Sequence, residues 1–212
     1  MVSLLEPVER PVALGGRVYQ ALRADAERML DALGGPGDEK LARSLRHAKV
    51  KLALDLALRA GGVKVGSTEP KVTEVLDVNA SVAARPAEEQ ATVNNRRGDI
   101  LVFTPWHPHS TVLVDLVVSH PYTKIGETAA DPPSAARIAE GNKGSSYRRD
   151  FVVADGRFYP FAIETMGAWG DSAVAFMRDV AVGLFGAANK GAISKLVRGV
   201  AVRISVALQK AV

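Results

Sequence analysis

Two aspartates stand where buried strand residues are expected. Asp99 lies in Arg97-Gly98-Asp99-Ile100-Leu101-Val102, and Asp115 lies in Leu113-Val114-Asp115-Leu116-Val117-Val118. A carboxylate among such neighbours is costly to bury unless it is paired or holds a metal. Two of them on neighbouring strands supply what a hard divalent cation requires, namely several oxygens in one place. A cation held there would lower the pKa of a water and offset charge on a scissile phosphate. Each acid also has a simpler reading. Asp99 follows Asn94-Asn95-Arg96-Arg97 and fits a turn aspartate, and Asp115 fits a buried pair with Arg96 or Arg97.

Composition narrows the metal. The chain has 212 residues and no cysteine, which excludes thiolate sites and disulfides. Oxygen ligands favour magnesium or manganese. Histidine is scarce. His107 and His109, in Trp106-His107-Pro108-His109, read as exposed residues of a proline-containing turn. His47 reads as a hydrogen-bonded core residue or a phosphate contact. Glu164, ending an apolar strand, borders the site or caps a helix, and Asp55 is a candidate extra acid from a helix.

The elements that must carry these residues follow from hydrophobic period. Residues 1–16 read as an irregular lead-in. Val18, Leu22, Ala26, Met29, Leu30 and Leu33 recur at helical spacing, and Gly34-Gly35-Pro36-Gly37 stops that helix. Asp38 is placed to cap a second helix running to about Ala60, ended by Gly61-Gly62. Val63, Val65, Val72, Val75 and Val78 predict one or two short strands. Residues 79–95 read as a loop. Asp99–Phe103 and Thr111–Ser119 predict a hairpin across a turn at 104–110. Ser134 is placed to cap a helix to about Arg148. Phe158–Glu164 predicts another strand, and two helices follow, from Gly170-Asp171 through Leu184 and from Asn189 to Lys210. The expected fold is α/β, with a mixed central sheet, helices on both faces and extra N- and C-terminal helices. Residues 1–37 form an N-terminal extension with one helix, and 38–212 the main domain.

In order and spacing, a series of short motifs resembles the PD-(D/E)xK restriction-endonuclease-like superfamily. More narrowly, it resembles the restriction-like endonuclease region of non-LTR retrotransposons and related reverse-transcriptase-associated proteins. The series is Arg46-His47, Arg97-Gly98-Asp99, Asp115-Leu116-Val117-Val118-Ser119-His120-Pro121, Lys143 to Tyr147, and Phe158-Tyr159-Pro160-Phe161-Ala162-Ile163-Glu164-Thr165. It continues into Gly167-Ala168-Trp169-Gly170 and Arg203 to Gln209, covering roughly residues 43–210. The resemblance implies a restriction-endonuclease-like core and a Mg2+- or Mn2+-dependent endonuclease acting on DNA, of mobile-element origin. In that reading Asp99 and Asp115 bind the metal and Lys143 assists catalysis. Arg96, Arg97, Tyr147 and Arg148 would contact nucleic acid. Two departures bear on activity. Val117 occupies the place where many relatives keep a lysine, so the acid-x-Lys pattern is absent and Lys143 would stand in for it. Gly98 replaces a common proline. A catalytically decayed nucleic-acid-binding module, or a structural domain of a larger element-encoded protein, are the alternatives.

The formal charge of +4 and the pI of about 9.4 agree with a polyanionic partner without singling one out. The basic residues Lys190, Lys195, Arg198, Arg203 and Lys210 would line phosphates or form a solvated helix face. No apolar run reaches the roughly 18 residues of a spanning helix, and the start lacks a secretory pattern. No membrane partner and an intracellular location, cytoplasmic or nuclear, are therefore expected.

Overall fold

A computed structural model describes residues 39–120 and 134–209. The lead-in, the first helix, the Asp38 cap, the Ser134 side chain and Lys210 lie outside the described residues. Helix α1 (Glu39–Ala60) ends where glycine is needed, because Gly62 has φ of 87°. Strand β1 (Val65–Thr68) follows, then β2 (Asp77–Val78), α2 (Ala87–Asn94), β3 (Ile100–Phe103) and β4 (Thr111–Ser119). Helix α3 (Ser134–Asp150) leads into β5 (Phe151–Val152) and β6 (Phe158–Glu164). Helices α4 (Asp171–Phe185) and α5 (Lys190–Gln209) close the chain.

The main sheet has the order β1-β3-β4-β6. The β1–β3 and β3–β4 pairs are antiparallel and β4–β6 is parallel, so the sheet is mixed as expected. A second ladder pairs β2 with β5. Alternation along β4 sends its two sets of side chains to opposite faces. Val112, Val114 and Leu116 join a core with Val50, Leu54 and Leu58 of α1, Phe176 and Val180 of α4, and Val200 and Ile204 of α5. Leu113 faces the other way, against Tyr147 of α3, Phe151 and Phe158. Asp115 shares the period of Leu113 and so belongs to the α3 face. On α5 the buried residues Leu196, Val200, Ile204 and Leu208 repeat every fourth position, and Lys190, Lys195, Arg198 and Arg203 stay exposed.

Two expectations are corrected. Val72 and Val75 are buried from a 3-10 turn, Val72–Glu74, not from a strand. Their spacing is three, which places both on one side of a 3-10 helix. The stretch 79–95 is not a loop. It holds a 3-10 turn, Ala80–Ala84, and α2, which starts after Pro86 with Glu88 and Glu89 in its first turn. Of that helix only Val93 is buried, so no apolar stripe marks it.

A clamp ties α2, α3 and the 3-10 turn together. Asp150, only 2% exposed, sits at the last position of α3. Arg85 Nη1 and Arg149 Nε reach its Oδ1 at 2.8 and 2.9 Å, and Arg96 Nη1 reaches Oδ2 at 3.1 Å. Arg149 closes a bidentate pair through Nη2, 3.0 Å from Oδ2.

Candidate metal centre at the Asp99–Asp115 pair

The β3–β4 register pairs Ile100 with Val114, and Asp99 stands just before β3 at that end of the hairpin. Its N–H donates to the Val114 carbonyl at 3.1 Å and its Oδ2 accepts the Leu116 N–H at 2.7 Å, so the main chain on both sides of Asp115 holds it. Gly98 makes this placement possible. A Cβ there would lie 2.5 Å from Leu113 Cδ1, and the Gly98 N–H donates to Pro70 O at 3.0 Å, a bond proline cannot make. Both acids are buried, 8% and 5% exposed.

Each acid is held by a different cation. Asp115 Oδ2 accepts from Lys143 Nζ at 2.6 Å. Asp99 Oδ2 accepts the Leu116 N–H at 2.7 Å and lies 3.2 Å from His47 Nε2. His47 Nε2 is also 3.2 Å from the Leu116 carbonyl, so both acceptors require that nitrogen to carry the hydrogen. Lys51, one turn after His47 on α1, lies 3.7 Å from Asp99 Oδ1 and 2.6 Å from Glu69 Oε1. The simpler reading of Asp115 as an arginine pair is therefore not met. Arg96 is committed to Asp150 and Ser146, and Arg97 donates to the Glu69 carbonyl at 2.8 Å.

The electrostatics separate the two carboxyls. Burial pushes Asp99 up, but the hydrogen bond and charge of His47, with hydrogen bonds from Asp115 and the Leu116 N–H, more than offset it, and its pKa falls to about 2. Burial also lowers the basicity of His47, and the Asp99 contact reverses this to a net rise. Asp115 moves the other way. Burial raises it, the Lys143 charge opposes, and the adjacent Asp99 carboxylate adds to the rise. The pair is thus one firmly ionised acid beside a more basic one (the order expected when like charges crowd together).

Tyr147 is on the same helix as Lys143, one turn on, but it is fully buried and stacked on Phe158 at 3.9 Å. It is core, not a nucleic-acid contact. Among the described residues its hydroxyl has no hydrogen-bond partner within bonding distance, and burial together with the nearby Asp115 charge raises its pKa. Arg96 lies over its ring at 4.2 Å. Arg97 and Arg148 are exposed.

Glu164 serves α3 rather than the helix that follows its own strand. Its Oε1 accepts the Ala135 and Ala136 N–H groups at 3.0 and 3.3 Å, at the start of the helix that carries Lys143. Glu140 of α3 reciprocates by accepting the Ser172 and Ala173 N–H groups at the start of α4. Replacing Glu164 by alanine is expected to cost about 1.5 kcal/mol, the range of a lost cap. Thermal unfolding should show it as a drop of roughly 3–6 °C, and a melting point unchanged within error would refute the capping role.

The remaining sequence candidates lie elsewhere. Asp55 pairs with Arg59 on its own helix at 2.8 Å. The histidines of 104–110 occupy the far end of the hairpin from the two acids, where His107 Nδ1 accepts the His109 N–H at 3.2 Å. Lys51 and Glu69 are the residues that sequence reasoning missed. The one signal for Lys51 is its i,i+4 spacing from His47.

The donor set for a metal is lean. Among the described residues, no group of three or more His, Asp or Glu side chains is arranged to hold an ion. What is present is two neighbouring carboxylates and the Leu116 carbonyl, which like Asp99 Oδ2 lies 3.2 Å from His47 Nε2. An all-oxygen set of this kind fits magnesium or manganese, which keep several waters. No helix of the described residues is long and apolar enough to cross a membrane. Comparison with protein-family models, with curated proteins and with solved structures finds no match to this chain.

Proposed function

We propose that this chain is a metal-dependent endonuclease that hydrolyses DNA phosphodiester bonds, on a restriction-endonuclease-like core. The observation that carries the reading is the convergence of Asp99, just before β3, with Asp115 of β4 and Lys143 of α3, the first and last 44 positions apart in sequence. Asp99, Asp115 and the Leu116 carbonyl would hold Mg2+ or Mn2+. Such an ion supplies charge at the scissile phosphate and acidifies a bound water. His47 keeps Asp99 ionised and oriented. Lys143 brings an ammonium to the face toward which residue 117 also points, since 115 and 117 share a period on β4. The absence of lysine at Val117 is thereby offset from α3, and the ammonium can stabilise charge developing on phosphate oxygens.

A second reading has its own support. The acids are already balanced by Lys143, Lys51 and His47, as they would be in a DNA-binding module that has lost its metal. Supercoiled plasmid incubated with Mg2+ separates the two. The nuclease reading expects nicked and linear products that disappear when EDTA is added. Intact plasmid retained on the protein at low salt, with no cutting in Mg2+ or Mn2+, would refute it in favour of the binding module.

A further inference from the structure

Beyond the acid pair, α3 borders a second feature with a distinct chemistry. A cleft of about 750 Å3 is lined by Arg85, Glu89, Arg96, Ser146, Arg149 and Asp150, among others. Its charges do not balance. Three guanidiniums face one buried carboxylate, Asp150, and Glu89 brings the sum to one excess positive charge. The arginines are also held in place. Besides their bonds to Asp150, Arg85 Nη2 donates to the Arg149 carbonyl at 3.1 Å and Arg96 Nη2 donates to Ser146 Oγ at 2.9 Å. Each guanidinium carries five N–H donors, and these bonds leave several unused. Donors fixed in advance by a buried anion lose little freedom on binding a second one.

From this geometry we infer that the Arg85–Arg96–Arg149 cleft binds a phosphate group of the nucleic-acid strand, apart from the one at the acid pair. The identity of the strand rests on the nuclease reading. The preference for phosphate rests on the cleft itself, because planar guanidiniums match phosphate oxygens in pairs. Arg96 links the two places: it borders the cleft and lies over the Tyr147 ring, whose hydroxyl feels the Asp115 charge. A strand seated in the cleft would thus run along the side of α3 that also presents Lys143.

The test is binding of a fluorescent DNA duplex of about 16 base pairs in EDTA, across a salt series. Arg149 is the most exposed of the three and Arg85 and Arg96 still hold Asp150 without it, so Arg149→Gln disturbs the clamp least, and Arg85→Gln is the second variant, both checked by thermal melts. Arg178→Gln removes the same charge from the exposed side of α4, across the sheet from α3, and serves as control. Both cleft variants are expected to weaken binding roughly fivefold to tenfold. Each should also lower the slope of log affinity against log salt by about 0.9. The control should do neither. Equal affinity in wild type and both cleft variants, or equal weakening by the control, overturns the inference. Saturable binding of inorganic phosphate, with DNA affinity untouched by either variant, assigns the cleft to a free phosphoanion and overturns it too. Because EDTA removes any hydrolysis, the result is independent of the nuclease reading: cleft-dependent binding without Mg2+-dependent cutting would defeat that reading alone.

Discussion

Asp115→Asn is expected to reduce Mg2+-dependent plasmid cleavage about 1,000-fold while leaving the protein folded. The substitution keeps the shape of the side chain and an acceptor for Lys143 Nζ, now 2.6 Å away. It removes one of the two carboxylate charges that would hold the ion. A divalent ion contributes several kcal/mol of charge stabilisation to phosphoryl transfer, and about 1.4 kcal/mol corresponds to each factor of ten in rate. Stability should change little or rise, because Asp115 is a buried acid raised by desolvation and by Asp99. Rates of nicking and a thermal melt on the same sample check both halves. Cleavage within threefold of wild type would remove Asp115 from the chemistry.

Asp150→Ala is expected to be the most destabilising single change at a polar position. It leaves the guanidiniums of Arg85, Arg96 and Arg149 without the carboxylate they share, and breaking a buried ion pair from one side costs about 3 kcal/mol or more. The melting point should fall by roughly 6–12 °C. The same group sets an acid limit. Hydrogen bonds from Arg149, aided by Arg85, hold the Asp150 pKa at about 2 against an ordinary 3.8, with burial opposing. A depressed folded-state pKa means the contribution is fully present above about pH 4 and is lost as pH falls toward 2. The arginines stay charged across that window, so only the carboxylate titrates. Urea midpoints measured from pH 5 to 2 should fall more steeply for wild type than for Asp150→Asn. Parallel curves would show that the clamp contributes nothing.

Much of the sheet was legible in the sequence. Asp115, within the otherwise apolar run Val112–Val118, announced an acid in need of a partner or a metal. The helices α1, α4 and α5 carry broad apolar stripes, and glycines end α1 and α4, so their bounds were close to those observed. The segment 72–94 was misread because its information is weak. Three valines three apart resemble a strand when counted as a group, and α2 buries a single residue. The partners of the acids were harder still. His47 lies 52 residues from Asp99, and no local pattern encodes that contact. Arg96 read as a partner for Asp115, yet the fold turns its side chain toward Asp150 at the end of α3. Tyr147, spaced one turn from Lys143, shares its helix but points into the core, because the helix packs that side against Phe158.

The most direct measurement of the central claim is calorimetric titration of Mn2+ into wild type, Asp99→Asn and Asp115→Asn. A metal centre built on the acid pair predicts one saturable site in wild type and no measurable heat in either variant. Absence of binding in wild type, or the same binding in all three proteins, would contradict it.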